Sequence, residues 1–255
     1  MFLGIDIGST TAKAVLLGAD GAGLATAIVP TGHRPREVAR RLRAEVLAAA
    51  SCSAADRTVA TGYGRGMVDF AAETVTEITC HARGVRQQHP GVRTVIDIGG
   101  QDSKVIRLDE AGLVRDFAMN DRCAAGTGAF LDVIASRFGL TLDELAELHA
   151  ARPTPLEVSS TCVVFAETEV VSLISQGNEL NDVLAGVHRA LARRVAATAR
   201  QLGAPEPVCF SGGVALNETI RRELEQALEK PVTRCSEPQL TAALGAALIA
   251  RGSRG

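Results

Sequence analysis

Tryptophan is absent and tyrosine occurs once in the 255 residues, so the chain lacks the aromatic platforms on which unpaired bases stack. Lys and Arg number 27 against 29 Asp and Glu, a net charge of −2 that gives no support for nucleic acid or an acidic surface as a partner. No apolar run approaches the roughly 18 residues of a membrane-spanning helix, and the first residues enter a strand-like run without a basic leader. A cytoplasmic protein with no membrane partner is expected. C-x-x-C is also missing. The six cysteines (52, 80, 123, 162, 209 and 235) lie in a chain long enough to fold without staples, so disulfides are not expected and each is left to core packing or metal. G-x-x-x-x-G-K-[ST] does not occur, which excludes a P-loop, and Gly62, Gly64 and Gly66 miss the G-x-G-x-x-G spacing of a Rossmann turn. What is present is 46% apolar residue, enough for one or two cores.

The strongest pattern is a repeat. Asp6-Ile-Gly-Ser-Thr-Thr-Ala-Lys13 returns 91 positions later as Asp97-Ile-Gly-Gly-Gln-Asp-Ser-Lys104. Apolar runs flank both copies: Phe2-Leu-Gly-Ile5 and Ala14-Val-Leu-Leu17 around the first, Thr94-Val-Ile96 and Val105-Ile-Arg-Leu108 around the second. Gly21 corresponds to Gly112, and a third strand-like run follows each. The pattern predicts strand, Gly turn, strand, Gly turn, strand, twice over, and a repeat of this size decides the fold class. The class is α/β, two like halves at 1–90 and 91–255, with Pro90-Gly91 as the boundary.

Helical periodicity fills in the rest. The first half continues with a helix from Pro35 to Ala50 carrying Val38, Leu42, Val46 and Leu47 on one side, a short strand near Thr58–Ala60, and a helix from Thr76 to Gln88. The second half has an apolar helix through Phe138 and a short helix over 141–150, where Thr141 and Glu144 have capping-box spacing. Further helices are expected from Ser159 to about Gln176, over 180–202, after Asn217, and from Gln239 to Ala250. Strands are expected at Pro207–Phe210 and Val232–Thr233. The inserted helical region of the second half holds Cys123 and Cys162.

The repeated turn has a chemistry of its own. Glycine between two strands lets backbone N–H groups approach an anion with no Cβ in the way. Ser9, Thr10 and Thr11 add hydroxyl donors beside Gly8, Lys13 adds a charge, and Gly99 and Gly100 leave the same space in the second copy. Asp6 and Asp97 at the strand ends suit a hydrated Mg2+. A single turn of this kind is mostly a plain hairpin; two of them favour phosphate. Ser211-Gly-Gly213 after a strand fits a nucleoside contact at a helix N-terminus. On these residues the chain resembles the acetate kinase, sugar kinase, actin and heat-shock chaperone superfamily of ATPases. The resemblance implies ATP and Mg2+ in a cleft between two duplicated ribonuclease H-like domains, the actin-like ATPase fold.

Four cysteines (52, 80, 209 and 235) sit in or beside strands and helices as small core residues do. Cys123 and Cys162 each stand just before or within the first turn of a predicted helix, after polar residues. That position favours thiolate, and it also suits an ordinary first-turn residue. Two thiolates are half of what a cubane iron–sulfur cluster needs, and a two-fold dimer would supply the rest. None of the five histidines falls at zinc spacing near them.

Asp97–Lys104, Asn120-Asp-Arg-Cys-Ala-Ala-Gly-Thr-Gly-Ala-Phe130, Cys162-Val-Val-Phe-Ala-Glu167, Phe210-Ser-Gly-Gly-Val-Ala-Leu-Asn217 and Glu237-Pro-Gln239 closely resemble the activators of 2-hydroxyacyl-CoA dehydratases, a family that includes ATPase subunits of benzoyl-CoA reductase. One departure is Thr241-Ala242-Ala243, where a glycine is expected near the middle, a matter of helix packing. The resemblance implies an oxygen-sensitive homodimer with one bridging [4Fe-4S] cluster held by Cys123 and Cys162. It also implies an electron taken from ferredoxin or flavodoxin and passed, on ATP hydrolysis, to a partner iron–sulfur enzyme: a 2-hydroxyacyl-CoA dehydratase, a benzoyl-CoA reductase or a double-cubane cluster protein. Asp6, Asp97 and Gln101 carry the catalytic expectation, with Gln101 orienting water. Gly8, Ser9, Thr10, Thr11, Lys13, Gly99, Gly100, Gln101, Asp102, Lys104, Gly126, Gly128, Gly212, Gly213, Asn217 and Gln239 carry the nucleotide. A small-molecule kinase of the superfamily is the rival from another class. An ATP-dependent binding module of chaperone type is a third reading and calls for an appended binding domain.

Overall fold

The computed structural model describes residues 1–149, 154–159 and 162–252. Two compact units emerge, the first made of Met1–Val92, Leu108–Arg115 and 235–252, the second of Arg93–Arg107 and Asp116–Arg234.

The first unit is built on a five-stranded sheet of β1 (Phe2–Ile7), β2 (Thr11–Leu17), β3 (Gly23–Pro30), β4 (Arg57–Thr61) and the two-residue β5 (Glu73–Thr74), in the order β3-β2-β1-β4-β5. β2 is antiparallel to both β1 and β3, whereas β4 runs parallel to β1. Period-two alternation sends Leu3, Ile5 and Ile7 to one face, where α1 (Pro35–Ala49) lays down Ala39, Leu42, Val46 and Leu47. Phe2 and Gly4 turn to the other face, which is covered by α8 (Thr241–Gly252). Both faces are buried, so β1 reads as a continuous apolar run.

The second unit repeats the plan with β6 (Thr94–Ile98), β7 (Ser103–Leu108), β8 (Val114–Asn120), β9 (Val208–Ser211) and β10 (Val232–Arg234), in the order β10-β9-β6-β7-β8. β6 and β7 are antiparallel, and β9 runs parallel to β6. The helices are α3 (Gly128–Phe138), α4 (Leu142–His149), α5 (Val163–Ser175), α6 (Leu180–Gln201) and α7 (Glu218–Leu228). They bury Phe130, Ile134, Val170, Leu184, Leu191 and Ile220 in one core with Ile96, Ile98 and Phe210.

α4 opens on the expected capping box: the Thr141 N–H donates to Glu144 Oε2 at 2.8 Å and the Glu144 N–H to Thr141 Oγ1 at 3.2 Å. The Thr141 N–H and, at 2.9 Å, the Thr141 hydroxyl both reach Glu144 Oε2 and hold that carboxyl below its ordinary pKa. The sequence boundary at residue 90 assigns the last helix to the second half, but α8 packs in the first unit. The reason is side-chain size. A Cβ on Gly4 would meet the Ala243 carbonyl, one on Gly84 of α2 (Glu77–Gln88) the Thr241 carbonyl, and one on Gly245 the Cys80 carbonyl. Sheet and both helices approach to backbone contact, and Gly245 supplies the small residue that was expected nearer Ala242. No helix among the described residues is long and apolar enough to cross a membrane.

Candidate functional site

In the first unit the antiparallel register places Asp6 opposite Lys13 at the mouth of the β1–β2 hairpin, and the Lys13 ammonium lies 3.2 Å from Asp6 Oδ2. The Gly8 N–H donates to the Thr11 carbonyl at 3.1 Å, leaving Ser9 and Thr10 as an exposed two-residue turn. A Cβ on Gly8 would lie 2.8 Å from the Thr11 carbonyl oxygen, so glycine is what lets this turn close. Thr31, which sequence reasoning did not single out, braces the turn. Its hydroxyl donates to the Gly8 carbonyl at 2.8 Å and its N–H to the Thr10 carbonyl at 3.0 Å.

The second hairpin keeps the register, Asp97 opposite Lys104, and changes the chemistry. Lys104 is buried and bridges two carboxylates, Asp102 Oδ2 at 2.7 Å and Asp97 Oδ2 at 3.6 Å. The Ser211 hydroxyl donates to Asp97 Oδ1 at 2.7 Å. The Gly99 N–H closes the turn on the Asp102 carbonyl at 2.9 Å, and Gln101 stands exposed at its tip. The turn is tied directly to the start of α3, because the Gly128 N–H donates to the Gly99 carbonyl at 2.8 Å and the Ala129 N–H to the Gly100 carbonyl at 2.7 Å. Gly128 is needed for this: a Cβ there would lie 3.1 Å from the Gly99 carbonyl oxygen and 3.2 Å from Gly100 Cα.

The repeat extends to the fourth strand of each unit. Thr61 of β4 is registered with Asp6 as Ser211 of β9 is with Asp97. Each is followed by a glycine at φ +90°, Gly62 and Gly212. A Cβ on Gly62 would strike Asp6 Oδ1 and the Ile7 carbonyl, and one on Gly212 the Ile98 carbonyl. Thr61-Gly62 is therefore the first unit's counterpart of Ser211-Gly212. The signal that could have revealed it is a hydroxyl residue followed by glycine at the end of a strand parallel to the Asp-Ile-Gly strand.

Gly213 begins a 3-10 turn that runs to Leu216, ahead of α7. Asn217, expected at the nucleotide, caps α7: its Oδ1 accepts the Ile220 N–H at 3.2 Å and its Nδ2 lies 3.1 Å from Nε2 of the buried His188. Gln239 is half-buried just before α8, in the first unit.

Cys123 and Cys162 both belong to the second unit. Cys162 is the exposed N-cap residue of α5; its carbonyl accepts the Ala166 N–H at 2.8 Å and its thiol makes no capping bond. Cys123 departs from expectation, since α3 begins five residues later at Gly128. It sits in a loop pinned by Asn120, whose Nδ2 donates to the Cys123 carbonyl at 2.8 Å and the Ala125 carbonyl at 3.1 Å. Thr127 tightens the same loop by donating its hydroxyl to the Ala124 carbonyl at 2.7 Å. Gly126 bends the loop at φ +91°. The cation beside Cys123 is Arg194 of α6, with Nη2 3.8 Å from Sγ.

The remaining cysteines behave as core. Burial pushes the Cys80 thiol up to about 12 and that of Cys209 to about 11, Cys235 is buried, and Cys52 is half-buried with its sulfur 2.8 Å from that of Met1. Among the described residues no three His, Cys, Asp or Glu side chains gather to hold a metal.

Two like α/β units, each presenting an Asp-Ile-Gly hairpin and a hydroxyl-Gly turn, define an ATPase of the actin-like fold. Within that class the chain belongs to the BadF/BadG/BcrA/BcrD ATPase family, which it matches over residues 3–250. It is 44% identical over 250 residues to the activator of lactoyl-CoA dehydratase of Anaerotignum propionicum, covering 97% of this chain and 96% of that one. The solved activator of 2-hydroxyisocaproyl-CoA dehydratase from Clostridium difficile, with bound ADPNP, superimposes with a TM-score of 0.92 at 39% identity, covering 99% of this chain and 95% of its own. Component A of the (R)-2-hydroxyglutaryl-CoA dehydratase of Acidaminococcus fermentans gives 0.93 at 42% identity, covering 98% and 97%.

Proposed function

We propose that this chain is an ATP-hydrolysing activator of a 2-hydroxyacyl-CoA dehydratase-type enzyme, working as a homodimer and delivering single electrons from a ferredoxin or flavodoxin. The relatives named as dehydratase activators support the role. The residues support the chemistry. Gly8, Gly99 and Gly100 are part-exposed and carry no Cβ to hold a phosphate oxygen off the backbone, and Ser9 and Thr10 are exposed hydroxyl residues. Asp6 and Asp97 already share their carboxylates with Lys13, Lys104 and Ser211, so Mg2+ would be met through its waters. Gln101 is exposed at the turn and cannot act as a base; its role is to orient the attacking water. Gly212 and Gly213 take the nucleoside side, with Asn217 and His188 holding that turn in place.

A [4Fe-4S] cluster is the group the family resemblance implies, and the donor set fits it. Cys162 is exposed, Cys123 is partly so and has a cation alongside, and the second unit's other thiol, Cys209, is buried in a strand. Two ligands per chain call for a second copy to complete four. When bound, the cluster supplies a one-electron store of low potential. Asn120 and Thr127 fix the ligand loop, and Val164 and Phe165, both exposed next to Cys162, offer an apolar rim to the second copy.

The observation that carries the proposal is the pair of backbone bonds from Gly128 and Ala129 to the carbonyls of Gly99 and Gly100. A turn that reorganises around a γ-phosphate must move the start of α3 with it, and the Cys123 loop ends where α3 begins. The test is anaerobic iron–sulfur reconstitution. The wild type should turn brown as a dimer with one cluster per two chains, Cys123→Ser and Cys162→Ser should each stay colourless, and ATP should be cleaved to inorganic phosphate without a phosphorylated acceptor. A colourless wild type, or stoichiometric transfer of phosphate to a small molecule, would overturn it.

A further inference from the structure

The two thiols are treated differently by the fold. Cys162 has the amide end of α5, thirteen residues long, at its back. Cys123 stands five residues ahead of α3, and the Arg194 guanidinium faces its sulfur at 3.8 Å. We infer that Arg194 is a positioning residue for the Cys123 ligand, an N–H donor and fixed charge at its sulfur that raises the reduction potential of the group bound there. The inference rests on the cluster reading above and goes beyond it by assigning a role to a residue outside every motif of the sequence.

Two independent features hold the arginine in this place. α6 is anchored by the buried Leu191, Ala192, Val195 and Ala196, so the outward-facing Arg194 springs from a rigid helix. Its stem lies along Gly126: a Cβ at that position would come within a tight 3.3 Å of Arg194 Cδ and in ordinary contact, 3.7 Å, with Cγ. Asn120, bonded to the Cys123 and Ala125 carbonyls, fixes the loop from the other side. Arginine suits the task better than lysine because its planar fork keeps a donor on the sulfur while staying charged. Hydrogen bonds to sulfur and net charge both set the potential of thiolate-held iron–sulfur groups. Gaining an electron adds negative charge at the sulfurs, and a cation there stabilises that state relative to the oxidised one.

The experiment is an anaerobic redox titration, followed by electron paramagnetic resonance, of the reconstituted dimer in wild type, Arg194→Gln, Arg194→Lys and Arg193→Gln. All three substitutions are at exposed positions, so iron content and dimer formation are expected to be unchanged. Arg194→Gln should shift the oxidised-to-reduced ratio at a fixed poise about tenfold toward oxidised, a midpoint about 59 mV lower for a one-electron couple. Arg194→Lys should restore more than half of that shift, and Arg193→Gln, which removes the neighbouring charge from another face of α6, should leave the midpoint in place. An unchanged midpoint in Arg194→Gln, or equal shifts in Arg193→Gln and Arg194→Gln, would overturn the inference while leaving the cluster reading intact. A colourless wild type would overturn both.

Discussion

Replacing Lys104 by methionine should be among the costliest single changes in the second unit, and the structure says how costly. Lys104 and Asp97 have side chains only 3% exposed, and the ammonium lies 3.6 Å from one Asp97 oxygen and 2.7 Å from Asp102 Oδ2. Methionine keeps most of the stem and removes the charge, which strips the buried Asp97 carboxylate of its cation. Breaking a buried pair from one side costs about 3–5 kcal/mol. The Lys13–Asp6 pair of the first unit is the internal control: it involves one carboxylate at 3.2 Å, with side chains 15% and 8% exposed, and water screens it better. Lys13→Met should cost roughly 1–3 kcal/mol by the same reasoning. The assay is hydrogen exchange of peptides spanning β6–β7 and β1–β2, since each unit then reports on itself. At about 1.4 kcal/mol per decade, Lys104→Met should lower protection of β6–β7 by roughly two to almost four orders of magnitude. Adding Asp97→Asn should recover at least half, because the neutral amide oxygen still accepts from Ser211. A loss below one decade, a larger loss in Lys13→Met, or no recovery in the double variant would refute the assignment of Lys104 as the buried counter-ion.

Gly245→Ala sets helix propensity against packing: alanine favours the interior of α8 by about 1 kcal/mol, but its Cβ would run into the Cys80 carbonyl of α2. Net destabilisation of about 1–3 kcal/mol is expected in a urea titration, and a stabilised variant would mean the helices do not meet there. The thiols give a pH signature. Burial raises the Cys80 thiol from its ordinary 9.0 to about 12 and that of Cys209 to about 11, so the unfolded chain ionises first. This contribution is fully present below 9.0 and is lost as pH rises toward those folded values. Stability should decline across that window, and Cys80→Ala should flatten the decline; an unchanged slope would show that Cys80 is not buried as a neutral thiol. In the same protein without iron, alkylation should label Cys162 first and leave Cys80, Cys209 and Cys235 unlabelled until unfolding.

Much of this protein is determined by sequence alone, because its strongest signals are local. Asp-Ile-Gly at a strand end, a glycine turn and Lys seven residues on are local features, so their recurrence announces the duplicated sheets; that Asp6 faces Lys13 and Asp97 faces Lys104 follows from the antiparallel register of the folded strands. The capping box of Thr141 and Glu144 is local in the same sense. Tertiary structure alone decided the rest. α8 follows the second unit in the chain but packs in the first, since Gly4, Gly84 and Gly245 make room for it across long sequence separations. The matching of Thr61-Gly62 with Ser211-Gly212 depends on parallel pairing, which leaves no turn signal in the sequence. The contact of Asn217 with His188, on a different helix, is likewise set by packing and has no counterpart in the motif. Arg194 stands 71 residues from Cys123, and no spacing rule connects them. Only the packing of α6 across the Gly126 loop brings the guanidinium to the sulfur.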